Sequence, residues 1–217
     1  FVFKTVGDAF CCAFQNAADA VKASVTAQLE LANQKWEEAV IRIRIGIHSG
    51  SAEWSNDQYS GYITLARATR IMSSAYGDQI IISSSTYDLV KDKFDSVKEL
   101  NVSFRDLGER RLKDVINPIR LYQIIFPGLR EEFPPLKTLD ARPNNLPAQL
   151  TSFIGREDVL QTVKNLFRQT PLLTLIGSGG SGKTRLAMQT AADIIDDYSN
   201  GVFITEIASV TDGALVV

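Results

Sequence analysis

Between Ile41 and Ile47 apolar and polar positions alternate, with Arg42, Arg44 and Gly46 separating four isoleucines. That period of two predicts a half-buried strand. From Gln15 to Trp36 the period is helical instead: Ala17, Ala18, Val21, Val25, Leu29, Ala32 and Trp36 recur three or four apart over most of its length. Further helices are predicted at Ala66–Tyr76 and Thr86–Asp92, and a short buried strand at Gln79–Ser83. VSFRDLG and PIRLYQIIF predict two strands, with Gly108–Lys113 turning between them. At the start of the chain two apolar runs, Phe1–Phe3 and Phe10–Phe14, flank Gly7-Asp8, which signals a hairpin. Strands and helices alternate throughout, the pattern of an α/β or α+β domain.

After Phe126 the pattern stops. The stretch PGLREEFPPLKTLDARPNNLPAQ holds five of the seven prolines and little periodicity, and it predicts an extended linker. Periodicity resumes near Phe153 with a helix at Arg156–Arg168, an apolar strand LLTLIG, a glycine-rich loop, a helix and a strand VFITEI. That order is one βαβ unit. The expected organisation is therefore residues 1–127, a linker at 128–150, and a second domain over 151–217.

Composition narrows the class only slightly. The 217 residues suffice for two modest domains, and 45% hydrophobic with 22% charged content is ordinary for a globular protein. A net charge of −2 gives no global reason to expect nucleic acid or an anionic membrane as partner. Cys11 and Cys12 are adjacent in an apolar run, so on a strand they face opposite ways and suit reduced core positions of a cytoplasmic protein. No apolar run approaches the ~20 residues of a membrane-spanning helix. The chain opens without Met inside a strand-like run, which reads as a fragment.

The most specific local motif is GSGGSGKT, Gly177–Thr184, which fits G-x-x-x-x-G-K-[ST]. Glycines there let backbone N–H groups converge on phosphates, assisted by the N-terminus of the helix that follows. Gly177, Gly179, Gly180, Ser181 and Gly182 form the cradle, Lys183 is placed for the β and γ phosphates, and Thr184 for Mg²⁺. With NLPAQLTSFIGREDVLQTVKNLF ahead of it, this region resembles AAA-like signal-transduction ATPases over roughly residues 145–217. The resemblance implies that Phe153–Glu157 packs near the nucleotide base. Hydrolysis in such proteins needs a later acidic residue, so the expectation is ATP binding without turnover.

In the first part, KTVGDAF (4–10), RIGIHSG (44–50), YSGYITLARATRIMSSAYGDQIIIS (59–83) and LGERRLKDVINPIRLYQI (107–124) follow one another. In that order and spacing they resemble class III adenylate/guanylate cyclases, specifically the C-terminal two-thirds of the catalytic domain, over about residues 1–126. The resemblance implies a ferredoxin-like α/β fold, N-terminally truncated, followed by the first βαβ of a C-terminally truncated P-loop domain. It implies a head-to-tail homodimer with sites at its interface, and cyclisation of a nucleoside triphosphate with Mg²⁺ or Mn²⁺ as cofactor. Position by position, Asp8 matches a metal-binding aspartate, Lys4 a base-recognising lysine of the ATP-selecting kind, and Arg70 the arginine that stabilises the transition state. Gln58 takes the second base-recognising position, or Asp57 if the register slips. His48 falls in a Gly-Ile-His-x-Gly segment that relatives use structurally.

Departures from that pattern mark the limits. The first metal-binding aspartate of the family lies upstream of Phe1. The family asparagine four residues before the arginine is Ala66, with Thr64 or Arg67 the nearby polar side chains. The expected activity is conversion of ATP to cyclic AMP and pyrophosphate, in a parent protein whose nucleotide-binding second domain biases dimerisation of the first. The isolated chain is expected to be inactive. A different class stays open: a degenerate cyclase domain serving as nucleotide sensor or dimerisation module of an ATPase switch or transcriptional regulator.

Overall fold

A computed structural model describes residues 1–55, 58–91, 101–147, 153 and 155–207, without the side chains of 55, 58, 60 and 62. The chain divides into two compact units, Phe1–Thr138 and Leu139–Val217.

The first unit opens with β1 (Val2–Val6) and β2 (Ala9–Cys12), an antiparallel hairpin whose two-residue loop is Gly7-Asp8. Gly7 carries φ 60°, the left-handed value that a primed hairpin turn demands at its first central position. Helix α1 (Ala17–Asn33) follows, started by Asn16, whose side chain accepts a 2.8 Å hydrogen bond from the Asp19 amide. It is shorter than its periodicity suggests. The chain turns extended at Gln34, and the Trp36 indole folds back to donate to the Leu31 carbonyl at 3.1 Å.

Four strands make the main sheet: β3 (Ile45–Ile47), β6 (Ile80–Ser83), β7 (Ser103–Arg110) and β8 (Ile119–Ile125), in the order β3-β6-β8-β7. β3 runs parallel to β6, and the other pairs are antiparallel. A second hairpin, β4 (Glu53–Ser55) and β5 (Gln58–Ser60), stands apart from this sheet, as does the opening one. α2 (Tyr62–Ser74) and α3 (Ser84–Val90) flank β6 in sequence.

The alternation of side chains along β6 divides the core. Ile80 and Ile82 join Val21 and Val25 of α1 and Val90 of α3 on one face, while Ile81 joins Ile71 and Ala75 with Leu112, Leu121 and Leu136 on the other. All four β6 residues are buried, as expected for a strand covered on both faces. α2 reaches β3 at Gly46, where an added Cβ would stand 2.3 Å from the Met72 backbone nitrogen.

Three sequence expectations change here. Of the period-two run, residues 45–47 form the strand; ahead of it the Ile43 carbonyl accepts from the Gln28 side chain (2.9 Å) and the Asp78 amide (2.7 Å). Gly108 marks a bulge within β7, with φ 76° and a register shift between Asp106 and Gly108, so the strand continues to Arg110. Cys12 is exposed and Cys11 half-buried on the opening hairpin, so neither is a core residue. The proline-rich stretch is extended and packed: Leu136 is buried, the Lys137 amide donates to the Ser74 carbonyl (3.0 Å), and the Gln123 side chain donates to the Glu131 carbonyl (2.7 Å).

The second unit contains α4 (Glu157–Phe167) and α5 (Lys183–Ile194), around a small core of Leu146, Ala192 and Ile195. The two strands expected around the glycine-rich loop do not form. Leu172 and Ile176 are 78% and 92% exposed, and no strand among the described residues pairs with them. A strand without a neighbour leaves its polar backbone unpaired. In VFITEI the pairing is a single bridge from Val202 to Asn144, then two bonds between the Ile204 backbone and the Asn145 side chain. A side-chain amide offers one donor and one acceptor there, and a ladder cannot continue from it.

Candidate functional site

Lys4 and Asp8 are exposed on the opening hairpin, Asp8 at the tip of its turn. The register shifts between Val2 and Lys4, so Phe3 occupies a bulge immediately before the lysine. Bulges re-aim the side chains around them. The Phe3 ring meets Tyr59 edge-on at 5.2 Å, Phe1 meets Trp54 at 5.6 Å, and Trp54 meets Tyr59 at 4.7 Å. These aromatic contacts bring the two hairpins together beside a cleft of about 550 Å³ lined by Phe1, Phe14, Asp19, Trp54 and Tyr59 among others. β5, which carries Gln58, thus lies next to β1, which carries Lys4; the Gln58 side chain and all of Asp57 fall outside the described residues.

Arg70 is placed differently. It projects from α2 and ion-pairs through Nη2 with the Asp114 carboxylate, in the turn between β7 and β8. Asp114 takes φ 57°, a left-handed conformation that aspartate tolerates better than most residues. Sequence reading missed Asp114, which lies 44 residues from its partner with no local pattern to reveal the pair. α2 begins four residues earlier than its periodicity predicts, at Tyr62, after Gly61 with φ 143°. Its Thr64 hydroxyl donates to the Ser51 carbonyl at 2.6 Å, so it is not free to stand in for the side chain that Ala66 lacks. Arg67, three residues before Arg70, is half-buried with its Nε sealed from solvent and without an acceptor. Such an unmet donor costs about 1–3 kcal/mol.

His48 sits where β3 ends. Its Nδ1 lies 2.9 Å from the Ser83 hydroxyl, which lies 3.0 Å from the Ser85 hydroxyl; Ser49 and Thr86 complete the network. These contacts tie the loop after β3 to the start of α3, the structural role the motif implies. Burial, and then the charge of Arg67, hold the His48 imidazole below its ordinary pKa of 6.5. Protonation therefore favours the unfolded chain, and stability present above pH 6.5 declines as pH falls through the folded-state value. A melting series in protein and in His48→Gln checks this: the parent loses melting temperature below that pH, and the variant has a flatter profile.

In the second unit the glycine-rich loop runs into α5 through Gly180 (φ 73°) and Gly182 (φ 83°). The Lys183 ammonium donates to the carbonyls of Gly177 (2.9 Å) and Ser178 (2.8 Å), so it curls over its own loop. Thr184 and Gly179 are exposed at that loop, and an added Cβ at Gly179 or Gly180 would meet nothing within 4 Å. The Arg156 guanidinium donates to the Ser181 carbonyl at 2.6 Å. That bond fastens the segment before α4 to the loop, a contact sequence reading did not predict.

Among the described residues no group of three or more His, Cys, Asp or Glu side chains could hold a metal ion. Asp8 is one carboxylate, which suits the share a Mg²⁺ ion takes from protein when substrate phosphates complete its shell. No helix among the described residues is long and apolar enough to cross a membrane.

Comparison with known proteins places this geometry. The family model of the adenylate and guanylate cyclase catalytic domain matches residues 2–124. An uncharacterized protein of Mycobacterium tuberculosis (strain H37Rv) is 36% identical over 151 residues, covering 69% of this chain and 49% of that protein. A second uncharacterized protein of the same strain is 30% identical over 152 residues, covering 70% of this chain and 56% of its own length. The chain thus spans about half the length of these relatives. A structure of adenylate cyclases from Trypanosoma brucei in their monomeric state superposes with a TM-score of 0.53 at 22% identity, over 63% of this chain and 74% of that one. At that identity the superposition speaks for a shared mixed α/β fold.

Proposed function

The chain belongs to the adenylate and guanylate cyclase catalytic domain family, and from that premise we propose that its first unit takes part in cyclising a nucleoside triphosphate, with ATP preferred over GTP. In that reaction the 3′-hydroxyl attacks the α-phosphate and pyrophosphate leaves. The observation that carries the reading is the opening hairpin: an exposed lysine after a bulge and an exposed aspartate at the turn tip, joined through aromatic rings to the hairpin that carries Gln58. Lys4 and Gln58 read the base, Asp8 supplies one metal ligand for Mg²⁺ or Mn²⁺, and Arg70 stabilises charge on the transferring phosphoryl group. A divalent ion, when bound, lowers the barrier by activating the hydroxyl and neutralising the triphosphate. A head-to-tail dimer completes each site. The test is cyclic product formation by the chain extended through the strand that the family places before Phe1, with Asp8→Ala as control.

For the second unit we propose that Gly177–Thr184 binds the triphosphate of ATP, with Lys183 leaving its loop carbonyls for the phosphates and Thr184 facing Mg²⁺. The left-handed glycines and the ammonium folded over the loop support that reading. Lys183→Ala weakens ATP binding by roughly 10- to 100-fold, the worth of one or two charge-assisted hydrogen bonds. Equilibrium titration with a fluorescent ATP analogue measures this, and undiminished affinity contradicts it.

A further inference from the structure

α2 carries two arginines one turn apart, and the structure treats them unequally. Residues three apart on a helix share a face. Arg70 has an anionic partner in Asp114. Arg67 has a dehydrated Nε without an acceptor, and neither a hydrogen bond nor an ion pair to the described residues engages the rest of its guanidinium. Its charge also works against protonation of His48, the chain's only histidine. A buried donor left unmet weakens a fold, and an apolar side chain of similar shape relieves that cost. Immediately before Arg67, Ala66 offers no polar group to a ligand, and the Thr64 hydroxyl is held by Ser51. A planar guanidinium with several unused N–H groups is suited to the oxygens of a phosphate.

We propose that Arg67 is a phosphate-binding residue of the first unit, receiving an oxyanion of the nucleoside triphosphate and supplying the polar contact that Ala66 does not. The inference rests on the cyclase reading above. It separates Arg67 from Arg70 in role: Arg67 binds the substrate as it arrives, and Arg70 acts on the reacting phosphoryl group. It also accounts for an arginine held at the expense of stability, since ligand sites commonly carry such costs.

The single histidine provides a local probe, because its imidazole Hε1 is the one such NMR signal of the chain. In the N-terminally extended protein, ATP with Mg²⁺ shifts the His48 titration upward, as a bound phosphate screens the Arg67 charge. Arg67→Gln abolishes that shift, raises the KM for ATP about tenfold with a smaller change in kcat, and leaves the melting temperature unchanged or higher. Arg67→Lys restores part of the KM, since it returns the charge without the fork. A lowered melting temperature with unchanged KM in Arg67→Gln makes the residue structural and overturns the proposal. So does cyclic product formed with KM and His48 titration indifferent to Arg67. Absence of both cyclic product and any His48 response to ATP overturns the cyclase reading itself, and this inference with it.

Discussion

Arg70→Ala lowers cyclic nucleotide formation by about 10²–10³-fold, the loss seen when one donor aimed at a developing oxyanion is removed. The side chain contributes charge and a forked set of N–H donors, of which Asp114 occupies a corner through Nη2. The remaining donors have no acceptor among the described residues. Arg70→Lys retains the charge and loses the fork, so it too falls well below the parent. The ion pair offers an internal control. Asp114→Asn removes the carboxylate and leaves the guanidinium, and it keeps at least a tenth of the activity. Initial rates of the N-terminally extended protein at saturating ATP, with melting curves alongside, separate the two effects. Arg70→Ala within tenfold of the parent removes Arg70 from the chemistry.

Gly46→Val destabilises the first unit by about 3 kcal/mol or more, at the upper end for overpacking a core. The neighbour that an added Cβ would strike is the Met72 backbone nitrogen at 2.3 Å, followed by the Met72 Cα at 2.6 Å. Backbone within a helix cannot swing aside as a flexible side chain does, so α2 as a whole must move from β3. That helix carries Arg67 and Arg70, so activity falls with stability. The melting temperature drops on the order of 10 °C by thermal unfolding. Gly46→Ala suffers the same clash with less bulk and falls between. A melting temperature within 2 °C of the parent for Gly46→Val contradicts the close approach of α2 to β3.

Sequence pattern conveyed a good part of the first unit. The helical period from Ala17 onward, the apolar run at Ile80–Ile82 and the Gly7-Asp8 turn each reflect a local preference that tertiary packing reinforces. Misreadings arose where a residue type serves two geometries. Gly108 signals a turn or a bulge with equal force, and the ladder between β7 and β8 selects the bulge. Apolar LLTLIG and VFITEI have strand composition, but pairing decides a strand, and the described residues pair VFITEI only through Asn144 and the Asn145 side chain. Of the candidate site, the placement of two residues was legible. Lys4 and Asp8 stand in a local motif, and the hairpin exposes both. The Asp114 partner of Arg70, the Arg156 bond to Ser181 and the sealed Nε of Arg67 depend on contacts distant in sequence or on dehydration, which no single-sequence period encodes.

The decisive measurement is a product analysis. The N-terminally extended protein is incubated with ATP or GTP and Mg²⁺ or Mn²⁺, and the products are separated by chromatography. Cyclic AMP should form, in excess of cyclic GMP, and should disappear with Asp8→Ala and with Arg70→Ala. No cyclic product from either nucleotide, with ATP still bound saturably and released by Lys183→Ala, contradicts the cyclase function and identifies the chain as a nucleotide-binding switch.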